Sequence, residues 1–301
     1  MESRNIFVYN SPDFLRTVSK KGTESDITIH HRKDGDTITT LLEPSRYPEK
    51  LSSLTDTIYV ADIAIINGDQ INREFGEVVL ALDLMGKRKG YILITDEAKK
   101  EQLTVLLKGT VAENYEFFSG NPMELMEKIN STSVERRESE RTVVIIDHFF
   151  KVKSVGTVAL GFVVEGTLKK HQKLFLSDRE KEAQIRSIQM HDEDQELAPV
   201  GSRVGLALKN VDAEELERGM YLSSEKLAMS DTLTMPEVHS MVRNAPKDDM
   251  EVFVSDELRY QRGFMKEGAI KLERPIPSYK EGVIVANPNL TPRIIGISRF
   301  S

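Results

Sequence analysis

The sequence predicts an α/β domain built on a mostly parallel sheet, followed by two all-β barrel domains. Three observations predict it. Near-continuous apolar runs at residues 5–9, 62–66 and 91–95 are separated by stretches of helical spacing, the pattern of parallel strands buried on both faces. A polar, charged segment at 131–141 (STSVERRESER) then breaks the pattern and reads as a linker. Beyond it, short strands recur at close intervals with glycine turns, as they do in barrels. A chain of 301 residues suits two or three domains. The expected bounds are 1–138, 139–226 and 227–301.

Taken in order, residues 5–9 form a short buried strand that ends at the turn Asn10-Ser11-Pro12. Residues 26–31 alternate and read as an edge strand, and Asp34-Gly35 turns into a β-branched strand at 37–42. Pro44 and Pro48 break the chain before helical spacing at 47–60. The buried strand at 62–66 leads to an amphipathic helix at 75–85, closed by Gly86. The strand at 91–95 is followed by a helix at 96–107. In the second region, strands fall at 142–150, 156–164, 172–176, 183–190, 203–209 and 221–223. In the third they fall at 251–254, 268–272, 282–286 and 294–299.

Composition narrows the function classes. Cysteine is absent, which excludes disulfide frameworks, thiolate metal sites and cysteine nucleophiles. No run approaches the 18 apolar residues of a membrane span, and the first residues lack the basic-then-apolar order of a secretory leader. A cytoplasmic protein with no membrane partner is expected. Net charge is −7. Cations number 18 against 23 acids over 1–138, 13 against 15 over 139–226, and 10 against 10 over 227–301. No region is basic enough for a dedicated DNA binder.

The middle region carries a resemblance. The runs IDHFFKVKSVGTV (146–158), IRSIQMHDED (185–194) and APVGSRVGLALK (198–209), with Glu217-Arg218-Gly219, resemble domain 2 of translational GTPases. The run KKGTESDIT at 20–28 is similar to the archaeal SelB-like branch, the selenocysteine-specific elongation factors and their relatives. The resemblance implies a P-loop-GTPase-like first domain and two barrels behind it, with RNA lying across them.

It also implies where a nucleotide would sit, and there the residues depart from the family pattern. A working phosphate loop reads G-x-x-x-x-G-K-[ST], its backbone amides and lysine closing on phosphates. Here Asn10 stands at the first glycine, Leu15 at the second and Arg16 at the lysine, while Thr17 is kept. Pro12 removes an amide from the loop and Asp13 adds a negative charge. In the family's D-x-x-G-H segment, Glu43 stands for the Asp, Arg46 for the Gly and Tyr47 for the water-positioning His. The Ala61-Asp62 pair, 18 residues after Glu43, fixes that register. At the guanine-specifying N-K-x-D, residues 95–98 run from Thr95 to Ala98, and Ala98 replaces the carboxylate. Three altered segments predict no hydrolysis, and neither GTP nor Mg²⁺ is expected to bind. A magnesium ion on Glu43 and Thr17 alone would lack ligands.

Several other groups have simpler readings. His30 and His31 are adjacent on a strand, point to opposite faces and read as surface residues. His148 and His191 read as positioning residues within barrel motifs. Lys87-Arg88-Lys89 reads as a solvated turn. Lys151, Lys153, Arg186, Arg203 and Arg218 lie inside the matched motifs and are the candidate RNA-binding residues. The expected function is a non-hydrolysing, elongation-factor-like protein that binds tRNA or the ribosome. Two alternatives stay open: a protein-interaction scaffold without RNA, and a divergent GTPase using Arg16 and Thr17.

Overall fold

The computed structural model describes residues 2–134, 136, 139–243 and 248–301. Its first sheet has seven strands: β1 (Glu2–Tyr9), β2 (Lys20–Glu24), β3 (Thr28–Asp34), β4 (Thr37–Glu43), β5 (Ile63–Asn67), β6 (Gly90–Leu93) and β7 (Glu116–Phe118). The order is β2-β3-β4-β1-β5-β6-β7. Pairings among β4, β1, β5, β6 and β7 are parallel, and the β2–β3–β4 meander is antiparallel. Helices α1 (Pro12–Val18), α2 (Leu51–Val60), α3 (Arg73–Leu84), α4 (Ala98–Leu106) and α5 (Pro122–Ser131) accompany the sheet. Strand β1 is buried from Ser3 to Tyr9 because helices cover both of its faces.

The middle sheet holds β8 (Val143–Val152), β9 (Gly156–Glu165), β11 (Lys173–Leu176), β12 (Glu182–Met190), β13 (Glu193–Gln195), β15 (Arg203–Lys209) and β16 (Tyr221–Ser223). Strands β10 (Thr167–Lys169) and β14 (Leu197–Pro199) pair separately. The order β11-β16-β8-β9-β15-β12 returns on itself through a β11–β12 pairing, so this sheet is a closed barrel. The last sheet holds β17 (Met229–Thr234), β18 (Glu237–Val238), β19 (Met250–Asp256), β20 (Arg259–Lys266), β21 (Ala269–Pro277), β22 (Val283–Ala286) and β23 (Ile294–Ser298). It runs from β17 to β18 without closing, apart from one bridge between Leu233 and Phe300. The second barrel expected over 227–301, whose closure the sequence left open, is therefore a half-barrel. Strand β18 is only two residues long, and Met241 and Val242 beyond it turn away into the core of the first module.

Several local expectations need correcting. Residues 26–31 do not form the sheet edge, because the KKGTE run is itself a strand, β2, outside β3. Its alternation is weak because β2 is exposed on both faces. His30 is buried at 8% exposure and its Nε2 lies 3.2 Å from Glu43 Oε2, while the His31 ring lies 5.9 Å from that of His191. Neither is a free surface histidine. The segment at 131–141 includes Glu135, Arg137 and Glu138, which lie outside the described residues. What is described there is tied down. Arg136 pairs with Asp62 at 2.6 Å, and Arg141 pairs with Glu165 at 2.9 Å. Gly201 (φ +86°) leaves room for the Arg136 guanidinium, which any Cβ there would overlap.

Lys87 is not a solvated turn residue either. Its ammonium donates to the Tyr59 carbonyl at 2.8 Å and the Ala61 carbonyl at 2.7 Å, closing the C-terminal end of α2. Burial pulls that ammonium down to about 8. Lys87→Met is expected to lose about 1–2 kcal/mol by stranding both carbonyls. Urea midpoints of the two proteins measure it, and equal midpoints would refute the cap.

Candidate functional site

The first connection is short. Strand β1 ends at Tyr9 and α1 begins at Pro12, so only Asn10 and Ser11 lie between them. Asn10 is left-handed at φ +52°, its backbone carbonyl accepts from Asn67 Nδ2 at 2.8 Å, and its side-chain Nδ2 donates to Gln70 Oε1 at 3.1 Å. Leu15 is buried in the core between α1 and the sheet. Arg16 points to solvent and pairs with Asp13 on its own helix. The Thr17 hydroxyl donates to the Asp13 carbonyl at 2.8 Å. These residues differ from the family's phosphate loop in where two side chains point. The lysine's replacement faces away, and the second glycine's place holds a core side chain.

The second segment is turned inward. Glu43 ends β4 beside His30. Arg46 is exposed, and its backbone amide donates to the Asp26 carbonyl at 3.2 Å. Tyr47 is buried, with its hydroxyl 2.9 Å from the Glu74 carbonyl and 3.1 Å from Glu77 Oε2. Burial and the Glu77 charge hold its phenol far above the usual range, so it stays protonated. In the third segment, Thr95 bonds Asp69 through both its amide (3.0 Å) and its hydroxyl (2.9 Å). Ala98 opens α4, its amide donating to Asp96 at 2.9 Å.

The five basic residues singled out in the middle module separate into two groups. Lys151 and Lys153 are exposed at the tip of the β8–β9 hairpin, and neither has an ion-pair partner among the described residues. Arg186 is exposed next to them and donates to the Val155 carbonyl in the same hairpin at 3.0 Å. Arg203 instead pairs with buried Asp147 at 3.1 Å and lies over the Phe162 ring. Arg218 reaches across to the first module. It meets Asp56 of α2 at 2.9 Å and lies 4.0 Å from Asp26 and 3.7 Å from Asp147. Burial holds the Asp56 carboxyl up at about 7 despite Arg218, whereas His148, Arg203 and Arg218 outweigh burial at Asp147 and bring it to about 2. Arg203 and Arg218 are therefore committed to ion pairs.

One member of the exposed group was not singled out from the sequence. Phe150 is 44% exposed on β8, next in the chain to Lys151. The signal was present, since an aromatic in the middle of a charged strand end has no polar alternation to satisfy. It was hidden because neighbouring Phe149 packs inward against the barrel core.

Comparison with known proteins fits this architecture. The Elongation factor Tu domain 2 family matches residues 156–223. The uncharacterized protein MJ0325 of Methanocaldococcus jannaschii is 37% identical over 215 residues, 71% of this chain and 70% of that protein. The selenocysteine-specific elongation factor of the same organism is 36% identical over 102 residues, 34% of this chain and 22% of that protein. Among solved structures, apo SelB from Methanococcus maripaludis superposes over the whole chain and 80% of its own, with a TM-score of 0.83 at 18% identity. The same factor with the GTP analogue GppNHp gives 0.80 at 17% identity, with the same coverage. At those identities the structural likeness shows the fold.

The expectation of neither GTP nor Mg²⁺ is corrected by these findings. SelB of Methanococcus maripaludis, whose fold this chain shares, is solved with the GTP analogue GppNHp, and that likeness speaks for nucleotide and magnesium rather than for their absence. Among the described residues, no helix is long and apolar enough to cross a membrane. The chain belongs to one family with MJ0325, and it resembles the archaeal SelB-like elongation factors in fold over its whole length and in sequence over about a third of it.

Proposed function

We propose that this protein is a translation-associated factor that docks on tRNA or the ribosome through the β8–β9 hairpin and does not hydrolyse GTP. The observation that carries the reading is the hairpin itself. Phe150, Lys151, Lys153 and Arg186 put an exposed ring beside three exposed cations, and among the described residues no carboxylate pairs with them. Unpaired cations meet phosphates without first breaking an ion pair, and an exposed ring can stack on an unpaired base. The protein as a whole is acidic, so such docking is confined to a patch. The absence of hydrolysis rests on Tyr47. Its phenol is protonated and bonded inside the protein, so it has no basic nitrogen to orient an attacking water.

The test is co-sedimentation with ribosomes at low and high salt, with and without GTP, beside the variant Lys151→Glu/Lys153→Glu/Arg186→Glu. The parent should pellet at low salt and be released at high salt. The triple variant should pellet far less at low salt, with a log–log salt slope smaller by about 2–3. Phosphate release should match the buffer blank. Phosphate release above the blank would refute the absence of hydrolysis. A triple variant that pellets like the parent, or complexes that survive ribonuclease, would move the reading to a protein-binding scaffold.

A further inference from the structure

Lys87 follows α3 on the seam between the first module and the half-barrel. It lines two clefts, of about 670 and about 340 Å³, which share Tyr59, Lys280 and Glu281 as walls. Apolar side chains from both modules, Leu84, Met85, Val283 and Ile284 among them, make up much of the smaller one. The Lys87 Nζ donates to the Tyr59 carbonyl at 2.8 Å and the Ala61 carbonyl at 2.7 Å. Among the described residues no carboxylate forms an ion pair with it. Burial pulls the amine down to about 8 and outweighs Asp62 and Glu257, the two acids that favour its charge. The other charges around the clefts are answered elsewhere. Lys280 pairs with Glu257 at 2.7 Å and Arg299 with Glu237 at 3.1 Å. Arg136 pairs with Asp62 and Arg141 with Glu165. An ammonium has three N–H bonds, and the two carbonyls take only two of them. A neutral amine has two N–H bonds and a lone pair. With both N–H bonds directed at the carbonyls, the lone pair is left facing the clefts.

We propose that Lys87 is a modification site, an amine that takes an acyl group from an activated donor, an acyl phosphate or an acyl thioester, at the smaller cleft. The Nζ lone pair attacks the acyl carbon. A C–N bond forms and the C–O or C–S bond breaks, the phosphate or thiolate leaving with the electron pair. Glu257, whose Oε2 is buried and has no hydrogen-bond partner among the described residues, lines the same cleft, so the proton that the amine sheds has an acceptor there. With no cysteine in the chain, amines are the strongest nucleophiles such a donor meets. The product amide keeps a single N–H, so one of the two carbonyls at the end of α2 loses its donor. Helix α2 also carries Asp56, which meets Arg218 of the barrel, so the adduct acts on a helix that two modules share. The reaction involves neither RNA nor nucleotide.

The test incubates the full chain at about pH 7.5 with acetyl phosphate or with acetyl-coenzyme A and follows each lysine by peptide mass spectrometry. Lys108, exposed on the first module, is the reference. At that pH about a quarter of an amine near 8 is neutral, against about one in a thousand for an ordinary lysine. Lower basicity gives back part of the gain, so Lys87 should acetylate about tenfold faster than Lys108. Its rate should level off above about pH 8.5, while that of Lys108 climbs on toward about pH 10. Lys87→Arg keeps donors for the two carbonyls; it should lose the fast-labelled peptide and leave Lys108 unchanged. Fast reaction with one donor alone would identify the acyl source, and with both would admit either. A Lys87 rate no higher than that of Lys108 with both donors, or one that climbs in parallel with it to about pH 10, would overturn the site.

Discussion

Arg218→Ala is expected to destabilise the protein by about 3 kcal/mol at pH 8, a large effect for one half-buried residue. Arg218 is the cation set against Asp56, a fully buried carboxylate on α2, and it also faces Asp147 and Asp26. Lys50 answers Asp26, and Arg203 answers Asp147. Among the described residues, no other ion pair reaches Asp56. Its neighbour Thr55 gives it one long hydroxyl contact, at 3.5 Å, and also meets the Tyr260 hydroxyl of the half-barrel at 3.1 Å. Removing Arg218 leaves a carboxylate where water cannot reach it, and the group's only remedy is to take up a proton. That remedy limits the loss and makes it depend on pH. Near pH 5, where Asp56 is already protonated, the cost should shrink to about 1 kcal/mol. Denaturant midpoints at the two pH values measure the difference. Arg186→Ala is the control, because an exposed arginine bonded to one carbonyl should move the midpoint little. Equal losses at both pH values would mean that Arg218 acts by packing and not by charge.

The separation of Arg186 from Arg218 is also where the sequence was least informative. Both lie in motifs of the same module, and nothing local tells a committed cation from an available one. The partners that commit Arg203 and Arg218 sit on β8 and on α2, 56 to 162 residues away. Asp56 and Glu77 had no signal for the same reason. Asp56 is the single acid of α2 and Glu77 is one of three on α3; a helix acid by default faces solvent, and each of these two is buried by contacts with other modules. Lys151 and Lys153 were readable because they flank a turn, where exposure follows from local geometry. The fold divides along the same line. The runs at 5–9, 62–66 and 91–95 stood out because strands covered on both faces must be apolar throughout. Strand β20 was missed because the outer side of RYQRGFMK faces solvent and interrupts the apolar pattern. The unclosed edge of the half-barrel was not legible. It depends on Met241 and Val242 joining the core of a different module.

Asp56→Asn should do the opposite of Arg218→Ala and make the protein more stable in alkaline solution. The ordinary value of this carboxyl is 3.8, and burial, helped by Asp147, raises it to about 7 in the folded protein against the pull of Arg218. An acid raised on folding binds its proton more tightly in the native state. The native state therefore loses stability as pH climbs from about 4 to about 7, and the loss is complete above that. A displacement of this size corresponds to a ceiling of about 4 kcal/mol. Asparagine keeps a carbonyl oxygen for Arg218 and never ionises, so it should recover part of that ceiling, about 1–3 kcal/mol at pH 8, and nothing near pH 4. The measurement is the difference in unfolding free energy between variant and parent across pH 4 to 8. A flat difference would mean that Asp56 stays ionised throughout, with Arg218 prevailing over burial. A rising difference would mean that the protein carries a buried acid at a net cost, at the contact where the first module meets the barrel. Combining both substitutions closes the argument. With Asp56 uncharged, Arg218→Ala should cost less than it does alone, because the charge it would strand is gone.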